Sequence, residues 1–359
     1  MTRPVRACID LKALVGNLQA AKKLAVGSKV MAVVKANAYG HGIVEVAQAL
    51  VDADALAVAS IDEALQLSRA GIQQTIILLE GVFEASELPE VLAQNFQLVV
   101  HTREQLEWLE QSGLQGSLTV WLKVDTGMHR LGFQASDIDT VYQRLSALSC
   151  VRQPPGLLSH FACADEPVHV ANDQQATQFA TLAEHWPGAK SLANSAALSS
   201  RQDVRYDWVR PGIMLYGSCP LLPGNPCPVE LLPVMSLTTK LIAVEQRMAG
   251  QAIGYGGAFS CEKPMTVAVA AIGYGDGYPR HATTGTPVLV NGHICPLIGR
   301  VSMDMITLDV SALSDVKAGD PVELWGKHLS VDVVANHLGT IAYELLCQVT
   351  PRVRREYVQ

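Results

Sequence analysis

No Cys-x-x-Cys pair occurs among the eight cysteines (Cys8, Cys150, Cys163, Cys219, Cys227, Cys261, Cys295, Cys347) scattered over 359 residues. A structural zinc site wants closely paired ligands and a disulfide scaffold wants a short, Cys-dense chain, so neither is expected; no metal is expected, and the pattern suits a reduced, cytoplasmic protein. No apolar run approaches membrane-spanning length, and the stretch before Asp10 is too short for a signal-peptide core. The formal charge is −7 without a basic block, which argues against a nucleic-acid partner. Nucleotide loops are missing too. Gly273-x-Gly275-x-Gly277 and Gly254-x-Gly256-Gly257 lack the Gly-x-Gly-x-x-Gly spacing and the strand-then-helix setting, and no Gly-x4-Gly-Lys-Ser/Thr loop exists. Charged residues make up only 17% against 49% hydrophobic ones, a balance that supports a large core and excludes disorder.

The length suits a barrel with one further domain, or two ordinary domains. Asp10 is placed to cap a helix through Leu11, Leu14, Leu18 and Leu24. Short apolar runs then recur at Lys29–Val34, Ala55–Ala59, Thr75–Leu79, Leu98–Val100, Leu118–Val124, Gly156–Ser159, Lys190–Ala193 and Val204–Val209. Helix starts lie between them, at Ser60-x-x-Glu63, Thr102-x-x-Gln105 and Ser136-x-x-Asp139. This alternation predicts a (β/α)8 TIM-type barrel over 10–228. A doubly wound sheet fits the same periodicity, which does not say whether the sheet closes.

The Pro-rich stretch Pro220–Pro228 ends the alternation and reads as a linker. Beyond it, runs at Met235–Val244, Met265–Ile272, Pro287–Val290, Met305–Val310 and Pro321–Leu324 predict a mainly β C-terminal domain over 229–359, with Asn291-Gly292 a hairpin turn. A helical tail is expected from Val331 to Leu346 and a last strand from Arg352 to Val358. The short run Arg6–Ile9, within 1–9, has no place in the barrel count and is predicted to join the β domain.

Chemistry is expected first at Lys35. The strand Val30–Val34 delivers it at the C-terminal end, where barrel enzymes keep their reactive groups, just before Ala36-Asn37-Ala38-Tyr39-Gly40-His41-Gly42. Such a lysine either snorkels to solvent or is desolvated and acts as an amine nucleophile or base. The loops after the seventh and eighth strands carry Asn194-Ser195 and Pro211-Gly212-Ile213, whose hydroxyl and backbone N–H groups suit a phosphate. Read alone, Arg210 is equally a structural arginine at a strand end, and His160 a structural histidine.

The string Val33–Gly42, together with Lys123–Phe133, Val209–Gly217, Gly273–Tyr278 and Gly299–Asp304, resembles in order the signatures of the alanine racemase family. The resemblance implies pyridoxal 5'-phosphate carried covalently on Lys35, its phosphate held by Tyr39, Ser195, Gly212 and Ile213, and Arg210 on the pyridine nitrogen. It implies racemisation of L- and D-alanine by two bases, Lys35 and Tyr274. His160 then hydrogen-bonds the tyrosine and links it to Arg210. Tyr274 is implied to cross from a second subunit of a homodimer. Arg130 and the backbone of Met303 match carboxylate contacts, and Lys123 matches a lysine that is carbamylated in many relatives. Asp304 stands in the last motif without a derivable role, and His129 replaces an asparagine common among relatives. A phosphate-binding tyrosine of some relatives aligns with Pro351, which predicts a differently shared grip. Tyr255 and Tyr278 are either core residues or narrow the entrance, as tyrosines do in small-substrate racemases. A broader amino-acid racemase of the same fold, a barrel-sharing decarboxylase and a non-catalytic pyridoxal-phosphate-binding protein are the alternatives. The β domain, with its tyrosine and carboxylate motif, argues against the last.

Overall fold

The computed structural model describes residues 3–359; Met1 and Thr2, which open the predicted N-terminal segment 1–9, lie outside the described residues. Strand β1 (Arg6–Asp10) leads into helix α1 (Leu11–Leu24), whose first turn is capped by Asp10 accepting from Ala13 N–H at 2.9 Å. Eight parallel strands follow: β2 (Lys29–Val33), β3 (Ala55–Val58), β4 (Thr75–Leu78), β5 (Gln97–Val100), β6 (Val120–Lys123), β7 (Gly156–Leu158), β8 (Lys190–Asn194) and β9 (Trp208–Arg210). They pair in chain order, and β9 returns to β2 through Lys29↔Trp208 and Val30↔Val209. The sheet therefore closes into a barrel and is not doubly wound. Covered by side chains inside and helices outside, β3 and β6 are buried at every position, as expected of continuous apolar strands.

Three expectations need correction here. The eighth barrel strand begins at Trp208, not Val204, because the Ser28 hydroxyl donates to the carbonyls of Arg205 and Tyr206 and takes them out of the ladder. Ser60 and Thr102 do cap their helices, but Glu63 and Gln105 reach back one residue further, to the N–H groups of Ala59 and His101, each at 2.9 Å. Ser136 caps nothing. The 3₁₀ turn Ala135–Asp137 puts Asp137 in a helical conformation before the helix Ile138–Ser146 begins.

The remaining strands are β10 (Met235–Arg247), the short pair β11 (Ala252–Ile253) and β12 (Phe259–Ser260), β13 (Met265–Ala270), β14 (Pro287–Val290), β15 (His293–Ile298), β16 (Ile306–Asp309), β17 (Pro321–Trp325) and β18 (Arg354–Val358). The larger sheet runs β13-β16-β15-β14-β17-β10-β1-β18, and β13 also pairs back onto the long, bulged β10. N-terminal β1 thus lies antiparallel to β10 and parallel to β18. Asn291 and Gly292 turn the β14–β15 hairpin with φ of +51° and +80°, the left-handed pair that a two-residue turn wants. The expected helical tail is two helices, Val331–Leu338 and Ala342–Cys347, separated at Gly339, whose φ of +67° ends the first. Among the described residues, no helix is long and apolar enough to cross a membrane.

Candidate active site

Beyond β2 the chain does something that propensity does not suggest. Ala36, Asn37, Ala38 and Tyr39 all take left-handed φ, from +52° to +54°. Such a conformation costs L-residues roughly 1–2 kcal/mol each, so the surroundings must hold it. Glu63, the residue expected to close a capping box, instead accepts from Ala36 N–H at 2.6 Å. Asn37 Oδ1 accepts from Ile43 N–H at 2.9 Å, and Arg355 Nε of β18 donates to the Gly40 carbonyl at 2.7 Å. The turn sets Lys35 and Tyr39 on the wall of one cavity of about 480 Å³ at the C-terminal mouth of the barrel. Tyr39 stacks on Tyr216 with centroids 4.6 Å apart, and the Tyr216 hydroxyl donates to Val33 O at 2.9 Å. Burial pushes the Tyr39 phenol far above its ordinary value, so it remains a neutral O–H donor.

The other barrel strands deliver their residues to the same wall. Lys123 ends β6, Arg130 follows in the next loop, and His160 follows β7. Ser195 begins the short helix after β8, and Arg210, Gly212 and Ile213 come from the end of β9. Ser195 Oγ accepts from Gly212 N–H at 2.7 Å, and a Cβ on Gly212 would lie 2.4 Å from the Tyr39 hydroxyl, so these groups form one tight corner. Arg210 is 4% exposed. Nη1 donates to Ser191 Oγ at 2.5 Å, while Nη2 donates to the Ser159 and Leu192 carbonyls and lies 3.4 Å from His160 Nδ1. Burial pulls Arg210 down to about 9, still charged at neutral pH. Burial, helped by the Arg210 charge, holds His160 well below its ordinary value, and burial with the Arg210, Arg130 and Lys35 charges brings Lys123 down to about 8.

Two residues on this wall are not among those expected from the sequence. Glu80, just past β4, sets Oε1 3.4 Å from Lys35 Nζ; a carboxylate at the C-terminal end of a barrel strand is the signal that points to it. Tyr343, from the helix Ala342–Cys347, lies against Tyr39 with centroids 5.7 Å apart. Pro351 is exposed and absent from this wall, so the tyrosine at this end of the cavity is Tyr343 and the expected departure at Pro351 is corrected.

His129 has φ of +55°, a conformation in which Asn and His are enriched, and its backbone and ring both meet the Asp125 carboxylate, at 3.0 and 3.2 Å. Tyr278 is buried and stacked on Trp325, so it is core, whereas Tyr255 is 67% exposed. Tyr274 and Met303 do not reach the cavity of their own chain; both protrude from the β domain, 39% and 53% exposed.

Two family models cover almost the whole chain: the alanine racemase N-terminal domain matches residues 9–220 and the C-terminal domain residues 234–357. An alanine racemase of Shewanella piezotolerans is 49% identical over 97% of both chains. The crystal structure of the biosynthetic alanine racemase from Pseudomonas aeruginosa superposes with a TM-score of 0.97 at 46% identity, covering 100% of both chains. An alanine racemase from Bartonella henselae, described with covalently bound pyridoxal phosphate, superposes at 0.89 with 31% identity over 99% of both. A closed parallel barrel with a β domain, a lysine-bearing cavity at its mouth and these near full-length likenesses lead to one assignment: the chain belongs to the alanine racemase family.

Proposed function

We propose that the protein is a cytoplasmic homodimer that interconverts L- and D-alanine with pyridoxal 5'-phosphate. The observation that carries this reading is the convergence of Lys35, Arg210 and the Tyr39–Ser195–Gly212 corner on one cavity, in which four cations (Lys35, Lys123, Arg130, Arg210) face the single carboxylate of Glu80. Such a wall suits a ligand bearing a phosphate and a carboxylate. The fit is tight at the corner, where the cradle has no room for a Cβ at Gly212 and the Ser195 hydroxyl, accepting from Gly212 N–H, is left with its own O–H to donate to an anion beside the Tyr39 hydroxyl. Tyr39, Ser195, Gly212 and Ile213 would hold the phosphate, with Tyr343 beside them, and Lys35 would hold the aldehyde carbon. In the same reading residues 10–228 are the cofactor-binding domain and 229–359, with the N-terminal strand segment, the β domain.

Bound there, the cofactor supplies an electron sink that makes the Cα proton of an attached amino acid removable. Arg210, which the resemblance places at the pyridine nitrogen, donates but cannot accept a proton, which keeps that sink modest and favours return of the proton to Cα. Lys35 Nζ, once free, takes or returns a proton on one face of Cα. Glu80 Oε1 stands 3.4 Å from that nitrogen. The opposite face needs a second base, and Tyr274 is not on the cavity wall of its own chain. The partner subunit's Tyr274 fills that role, and the partner subunit's Met303 N–H joins Arg130 on the substrate carboxylate. Within its own chain the Met303 N–H has no acceptor among the described residues.

His160 prepares for the tyrosine. Because Arg210 donates toward Nδ1, the neutral ring carries its proton on Nε2. The Asn194 amide beside Nε2 has its oxygen committed to Ala197 N–H at 2.9 Å, so the Nε2–H is left to bond a phenolate. Half neutral near pH 8, the Lys123 amine would add to CO2 and release one proton to solvent to give a carbamate, which turns a cation that repels Arg130 into an anion that pairs with it.

The test is incubation of the cofactor-loaded protein with L-alanine in deuterated water, following optical rotation and Cα deuterium together, with Lys35→Ala as control. Wild type is expected to lose rotation and gain deuterium while the control does neither. Exchange with retained rotation would sink the Tyr274 assignment; no exchange with cofactor bound would sink the racemase reading.

A further inference from the structure

Asp276 is fully buried, outside the cavity, and sits two residues beyond Tyr274. Its Oδ2 accepts from Gly273 N–H at 3.1 Å and from Arg3 Nη2 at 2.7 Å, while Arg352 Nε lies 3.6 Å from Oδ1. Asp304 closes the ring from the other side. Its Oδ1 accepts from Arg352 Nη2 at 2.6 Å and lies 3.5 Å from Arg3 Nη1, and its carbonyl accepts from Arg3 Nη2 at 3.3 Å. The backbones of the two loops are also tied: Tyr274 N–H donates to Ser302 O at 3.1 Å and Gly275 N–H to Met303 O at 2.9 Å. The approach tolerates no side chain, since a Cβ on Gly273 would stand 2.2 Å from Ser302 O and one on Gly275 2.3 Å from Arg352 Nη1.

Tyr274 and Met303 thus project from two loops joined by two arginines and two aspartates. Their own side chains are too exposed to be held by packing. We propose that Asp276, braced by Arg3 and Arg352, is a positioning residue that keeps Tyr274 and Met303 as one rigid unit presented to the partner's cavity; this rests on the composite-site reading above. It gives Asp304 a role as the second anchor of the arginines. A base displaced by about 1 Å costs up to about 10²-fold in rate, so stiffness here is worth more than contact area.

The test uses the full-length, cofactor-loaded enzyme as wild type, Asp276→Asn, Arg352→Met and Arg352→Lys, comparing deuterium exchange at Cα with racemisation from each enantiomer. If the unit is loosened, the face served by Lys35 keeps exchanging while transfer to the opposite face fails. The ratio of exchange to racemisation for one enantiomer then rises by about tenfold to 10²-fold. KM for alanine rises as the Met303 N–H moves, and Arg352→Lys recovers most of both effects. Wild-type ratios in Asp276→Asn and Arg352→Met, whatever the loss in absolute rate, would overturn the inference. Should Asp276→Asn fold poorly, Arg352→Met, at a half-exposed side chain, decides it. Tyr274→Phe in the same assay separates the two claims. If that variant still racemises, the composite-site reading fails; if it exchanges without racemising while the other variants keep the wild-type ratio, only the positioning role fails.

Discussion

Arg210 Nη2 lies 3.4 Å from His160 Nδ1, so a charged donor faces that imidazole nitrogen. The same guanidinium also donates to Ser191, Ser159 and Leu192, so its plane is fixed before any ligand arrives. A lysine there has no fork with which to span those acceptors. Arg210→Lys is expected to lower kcat by roughly 10²-fold, the scale of losing one preorganised donor. Steady-state kinetics in both directions, with a melting curve to exclude misfolding, checks this; a loss under threefold contradicts it.

The proposed composite site makes a stoichiometric prediction. Lys35→Ala and Tyr274→Phe homodimers are each expected to be inactive, but a mixed dimer holds one site with both defects and one with none. After dissociation and re-association of an equal mixture, about a quarter of wild-type activity should return. If the mixture stays inactive although mass spectrometry finds mixed dimers, both groups come from one chain.

Lys123 links the cavity to stability. Its folded value is lowered to about 8 from 10.5, chiefly by burial, so below about 8 the folded state bears the full cost of a buried ammonium. Between the two values the unfolded chain binds more protons than the folded one, and stability rises with pH across that window. In CO2-free buffer Lys123→Met should melt higher at pH 7 than wild type and show a flatter rise between pH 8 and 10.5. Parallel pH profiles in urea melts would contradict this.

Gly212→Ala forces a methyl group to within 2.4 Å of the Tyr39 hydroxyl unless the ring moves. Gly212 has φ of −121°, outside the left-handed region. Overpacking of this kind costs roughly 1–3 kcal/mol. Cofactor affinity, read from absorbance titration of the stripped protein, should fall by about ten- to hundredfold, and the apo protein should melt below wild type. Unaltered affinity would mean that the corner does not hold the phosphate.

The barrel is legible because each strand announces itself locally, by a short apolar run, and two of the helices between them by a capping residue, Ser60 and Thr102. Once such strands close, their C-terminal ends converge whatever the details, so Lys35 is readable as a site residue from its place at a strand end, while the roles of Lys123, His160 and Arg210 come from the family resemblance. The missing cap at Ser136 and the strand start at Trp208 escape a local pattern because it does not show competing hydrogen bonds, from Ser136 to the Asp137 carboxylate and from Ser28 to the Arg205 carbonyl.

The sequence by itself determined the fold class and the residue types delivered to the barrel mouth, because alternation and turn chemistry act between near neighbours. Tertiary structure decided the rest. The left-handed turn of Ala36–Tyr39 runs against the preference of Ala36, Ala38 and Tyr39 and stands because Glu63 and Arg355, the latter 315 residues from its partner Gly40, satisfy its backbone. Glu80 and Tyr343 entered the site, and Tyr274 and Met303 were locked together outside it, through contacts between distant segments. Such contacts exist only once the chain has closed, and no local pattern records them.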